Sequence, residues 1–206
     1  MRLNRPLADP KLYRQLRCDI EVLAATETAY KTRPCQNCAV SCPRCASTHC
    51  TCGCHPQCPQ ARVQLSIEGA AMPIESYIAP LVFSLTTLKI FVTYWSCEGH
   101  CSRDGLWIRI PQVWFHCRSL AHVRLLHDWL SQQWIQKKIS VPWVVMLTHA
   151  GLTLDTGFCL QPELNFHPEA TLPMLQHDAL HLGQALAPGL VAQAGEMMAK
   201  HLHFPG

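Results

Sequence analysis

The chain has 206 residues, 49 % of them hydrophobic and only 15 % charged, a balance that excludes a disordered polypeptide. No apolar run approaches the roughly 18 residues of a membrane span, so no membrane association is expected. The formal charge is +3, and no basic stripe interleaved with aromatic residues points to nucleic acid. The first thirty residues carry no apolar segment of signal-peptide type, so a reducing, cytoplasmic setting is expected. Thirteen cysteines and twelve histidines in that setting point to metal or thiol chemistry rather than to a disulfide framework.

In chain order, residues 8–30 read as a helix. Asp9 precedes Pro10 as a cap, and Leu12, Leu16, Ile20 and Leu23 form one apolar stripe. Residues 33–60 hold four prolines, eight cysteines and almost no large apolar side chain, so something other than a hydrophobic core must order them. Residues 62–67 alternate Val63, Leu65 and Ile67 as a short strand. The stretch 74–90 reads as a buried helix that Pro80 either kinks or starts late. Residues 91–96 and 106–117 are rich in β-formers. Ser119 is expected to cap a helix to about residue 138, with Leu120, Val123, Leu126, Leu130 and Trp134 facing the core. Residues 141–150 and 152–160 read as a hairpin turning at Ala150 and Gly151. A helix opens at Thr171 and Pro173 and closes near Leu186. Pro188 and Gly189 then separate it from a last helix ending near His201.

The expected fold is therefore α+β: a small antiparallel or mixed sheet with packed helices, plus an irregular cysteine-rich module. It divides into an N-terminal helix (1–32), the cysteine-rich module (33–60) and an α+β domain (61–206).

In that module the cysteines are Cys35, Cys38, Cys42, Cys45, Cys50, Cys52, Cys54 and Cys58, with His49 and His55 among them. Two C-x2-C pairs precede C-x-C-x-C-x3-C. Each C-x2-C pair lets two thiolates grip one ion while backbone amides point at the sulfurs. Eight soft ligands in 24 residues make two four-ligand sites or one shared cluster. Closed tetrahedral zinc sites are the expectation, two ions in all, with an iron–sulfur cluster as the alternative. Eight thiolates around two divalent ions leave about four negative charges. The nine basic residues of segment 1–62, against four acidic ones, are then read as neutralising the metal site. Cys38, Cys42 and Cys45 match the C-x3-C-x2-C triplet of radical-SAM enzymes, but no βα alternation follows. Pro34, Cys35 and Cys38 match half of a zinc-deaminase motif, and its H-x-E half is missing.

A second constellation follows the strand at 91–96: Cys97, Glu98, His100 and Cys101 crowd a turn that Gly99 permits. His116 and Cys117, at the end of the next β-rich segment, are candidates to join it if the two strands pair. Cys97, Glu98 and His100 are the candidate catalytic cluster, alone or with a third metal ion. His177 and His181, four apart on a helix, have metal-binding spacing but lack the Glu of H-E-x-x-H and read as a solvated helix face.

The cysteine block, the stretch 74–90 and the run Ser96-Cys97-Glu98-Gly99-His100 together resemble a group of proteobacterial cysteine-rich proteins over residues 35–150. That resemblance implies no activity, only that the two constellations belong to one protein type. Three functions remain open from sequence: a zinc-holding accessory protein whose partner is another protein, an enzyme acting through Cys97, Glu98 and His100, and an iron–sulfur redox or cluster-delivery protein.

Overall fold

The computed structural model describes residues 10–26, 73–117, 119–150 and 156–201. The cysteine-rich segment, with Cys35, Cys38, Cys42, Cys45, Cys50, Cys52, Cys54, Cys58, His49 and His55, lies outside the described residues, as do the strand expected at 62–67 and the Asp9 cap.

The described chain forms α1 (Pro10–Ala24), α2 (Ala79–Thr87), β1 (Phe91–Cys97), β2 (His100–Cys101), β3 (Trp107–Arg109), β4 (Gln112–Cys117), α3 (Leu120–Ile135), β5 (Trp143–Ala150), β6 (Thr156–Pro162) and α4 (Leu172–His201). The expected α+β class holds. Four strands pair antiparallel in the order β1-β4-β6-β5, and β2 and β3 form a separate two-stranded ribbon. Along β4 the residues alternate between the two sheet faces, and Val113, Phe115 and Cys117 are buried. Phe115 stacks on Phe158 and meets Phe91 edge-on at 5.2 Å. These side chains join one apolar cluster with Leu81 and Leu85 of α2, Leu126 and Leu130 of α3, and Ile20 and Leu23 of α1.

α1 stops at Ala24, short of the expected residue 30. The Thr26 hydroxyl donates to the Val22 carbonyl there, satisfying a terminal acceptor from outside the helix. α2 starts late, with Pro80 in its first turn, where a missing N–H breaks no helical bond. Residues 79–85 are buried on every side, which accounts for a run that is apolar all round. Segment 106–117 is not one strand: Pro111 falls between β3 and β4 and cannot donate to a ladder. The hairpin β5–β6 is present, but Ala150 pairs with Thr156, so its connection is longer than a two-residue turn.

α3 begins after Ser119 as expected, yet it presents a different face. Leu120 is 69 % exposed and Trp134 43 %, while His122, Leu125 and Trp129 are buried beside Leu126 and Leu130. The cause is α1. The Ser119 hydroxyl does not cap its helix but donates to Asp19 Oδ2 at 2.5 Å, and His122 Nε2 meets the Asp19 carbonyl at 2.7 Å. Docking α1 on the first turn of α3 covers a polar flank that periodicity alone assigns to solvent.

α4 corrects the expected break at Pro188: it is one helix of 30 residues with the proline inside. Leu175, Ala179, Leu182, Leu186, Leu190 and Ala194 make a continuous buried stripe along it. One residue before the proline, the Ala187 amide donates to the Ser84 hydroxyl of α2 at 2.9 Å, so the neighbouring helix satisfies a donor where a proline disturbs the ladder. Gly183 lies against the α2 backbone at Pro80 and Leu81, and Gly189 lies against the Trp129 indole. These glycines allow close helix approach rather than ending the helix.

Candidate metal centre

The site forms where β1 ends. β1 carries a bulge: Thr93 pairs with Phe115 and Trp95 with Trp114, leaving Tyr94 extra. The bulge resets the alternation, turning Trp95 outward. Cys97, two residues on, closes the strand opposite Gln112. Gly99 then turns the chain with φ +87, and a Cβ there would lie 2.7 Å from Pro111 Cδ and 2.8 Å from Leu172 Cδ1. Both the positive φ and the close approach require glycine. The turn delivers His100 to the first position of β2.

The acid that meets Cys97 and His100 is not Glu98 but Glu75, in the segment leading into α2. Ligand atoms of Glu75, Cys97 and His100 all lie within 4.8 Å of one another. Glu75 Oε1 is 2.9 Å from His100 Nε2, and Glu75 Oε2 accepts the Glu98 amide at 2.7 Å. Glu98 turns the other way, its Oε2 accepting the Tyr77 amide at 2.9 Å. The two glutamates thus bind each other's chain segments in a reciprocal clamp. The Glu98 carbonyl accepts Gln176 Nε2 of α4 at 3.3 Å.

Cys97 is 4 % exposed. Burial raises its thiol above the ordinary range. The Gly99 amide, which donates to Sγ at 3.4 Å, opposes that, the Glu75 carboxylate adds to it, and the Arg109 guanidinium opposes it. The Cys97 sulfur and the His100 imidazole both have ligand atoms within 4.8 Å of the same Glu75 carboxylate. Sulfur, imidazole nitrogen and carboxylate oxygen facing one another form a ligand set that suits zinc. Around tetrahedral zinc such atoms stand about 3.3–3.6 Å apart, from bond lengths of about 2.0–2.3 Å. The present cluster needs shifts of an ångström or so to reach that spacing.

His116 and Cys117 do not join the site. They pair with Val92 and Phe91, at the far end of β1 from the turn. His116 stacks on Tyr94 at 4.5 Å. The Cys117 thiol donates to the Ser119 carbonyl, and burial pushes it up to about 11. Cys101 pairs with Trp107 and stays outside the triad. His177 is exposed and His181 half-buried. Between them Asp178 turns inward, its carboxylate accepting the Ser140 and Val141 amides at 2.9–3.3 Å. Glu75 was missed in sequence because it lies 22 residues before Cys97. Its one signal is that it is the lone acidic residue of the stretch 74–90, read as a buried helix, where a carboxylate needs a partner.

No protein-family model, curated protein or solved structure matches the chain.

Proposed function

We propose that this chain is a zinc-binding accessory protein of the cytoplasm that presents its α+β domain to another protein. The observation that carries the metal reading is the convergence of Glu75, Cys97 and His100, with ligand atoms within 4.8 Å of one another. A sulfur and an imidazole in that set favour zinc over the hard cations, which prefer oxygen alone. Oriented ligands support the reading: the Glu98 amide holds Glu75, and the Gly99 amide holds the Cys97 sulfur. Two further ions belong, in this reading, to Cys35, Cys38, Cys42, Cys45, Cys50, Cys52, Cys54 and Cys58, with His49 or His55 as a substitute ligand. The alternative of an enzyme using Cys97, Glu98 and His100 directly is disfavoured, because Glu98 faces Tyr77 rather than the thiol.

Metal analysis of the full chain tests this. About three zinc per chain is expected, falling by one in His100→Ala, whose side chain is 48 % exposed and removable without disturbing the core. Unchanged zinc in that variant refutes the triad as a metal site. A brown protein with iron and sulfide in place of zinc supports the iron–sulfur alternative for the cysteine block.

A further inference from the structure

We infer that the metal held by Glu75, Cys97 and His100 keeps one coordination position open to solvent and takes a small carboxylate-type anion there, with Arg109 as the anion's second anchor. This rests on the metal reading above.

Three features support an open position. Among the described residues the ligand group stops at three, the number that leaves a tetrahedral ion one exchangeable place. Cys101, the next candidate along the chain, sits opposite Trp107 and does not enter the group. The site is also accessible: the His100 and Glu75 side chains are 48 % and 35 % exposed, while Cys97 closes it from below.

Arg109 supplies the reason for an anion. In the β2–β3 ribbon it stands directly opposite His100, and paired residues of an antiparallel ladder share a face. Its guanidinium carbon lies 5.0 Å from the centroid of Trp95, and Trp95 is two residues from Cys97 on β1. Stacking on the indole uses the guanidinium's face and fixes its plane, while its N–H edge remains suited to an oxyanion. A glutamate and a thiolate cancel the charge of a divalent ion. An incoming anion therefore binds best where another cation is at hand, and Arg109 is that cation. Its planar fork matches a carboxylate, one oxygen on the metal and one on the guanidinium.

Cobalt(II) loaded into the full-length protein tests this, read as the difference spectrum of wild type minus His100→Ala, which removes the contribution of the cysteine-rich segment. A thiolate-to-cobalt band with visible d–d absorption is expected in the difference. Azide and acetate should each shift the d–d bands along a saturating curve. Arg109→Met, at an exposed position, should keep the cobalt spectrum and weaken acetate about tenfold or more, the loss of a charge-assisted hydrogen bond. No difference spectrum would remove the metal reading and this inference together. A difference spectrum indifferent to azide and acetate would leave the metal standing and overturn the open position. Shifts that Arg109→Met leaves at full affinity would overturn the role of Arg109.

Discussion

Glu75 and Glu98 each accept an amide from the other's segment or its neighbour, and only Glu75 is left facing the thiol and imidazole. Their exchange yields a sharp test. Glu75→Gln should cost one equivalent of bound zinc, because a neutral amide is a poor ligand. Glu98→Gln should cost none, since its side-chain carbonyl still accepts the Tyr77 amide. Metal content by mass spectrometry distinguishes them. Gly99→Ala should destabilise the fold by about 2 kcal/mol or more in urea unfolding, combining the positive φ with contact on Pro111. The run Ser96–His100 was legible as a crowding of Cys, Glu and His on a turn, and the structure brings Cys97 and His100 of that run together with Glu75. Which carboxylate enters was not legible, because pairing across 22 residues depends on how α2 meets β1.

At the scale of elements, α4 shows why helix punctuation fails in a packed core. Pro188 and Gly189 read as a stop in isolation, but Ser84 accepts the Ala187 amide and Trp129 lies where a side chain at Gly189 would be. Gly189→Ala should therefore destabilise, by about 1–3 kcal/mol from overpacking on the indole. Gly195→Ala, where a Cβ meets nothing within 4 Å, should stabilise by about 0.5–1 kcal/mol through helix propensity. Thermal unfolding of both variants checks the opposite signs. The same helix carries Asp178, buried and bonded to the Ser140 and Val141 amides. Burial raises its carboxyl above the usual range, against those bonds. The folded state therefore binds its proton more tightly than the unfolded chain, and this group favours folding more as pH falls through its raised folded value toward the ordinary 3.8. Asp178→Ala leaves the part-buried Ser140 amide and the buried Val141 amide without their acceptor and should cost about 1–3 kcal/mol at neutral pH. The gap to wild type should widen on acidification over that window.

Across the molecule, the class and most strands followed from period-two and helical patterning, because sheet alternation in β4 and the buried stripe of α4 are local signals of burial. Packing choices between distant segments were not legible: α1 rotates the buried face of α3 through Asp19, Ser119 and His122. These contacts bind α1 to the sheet–helix core independently of any metal. Cys38→Ser should accordingly lower zinc content while circular dichroism and the unfolding midpoint of the α+β domain change little.

The central claim is that Glu75, Cys97 and His100 hold an ion together. Anomalous diffraction at the zinc edge from crystals of the zinc-loaded protein tests it most directly. The account predicts a peak between the three side chains, about 2.0–2.3 Å from each ligand atom. Crystals with zinc elsewhere, and with His100 still paired to Glu75 and no peak between them and Cys97, would contradict it.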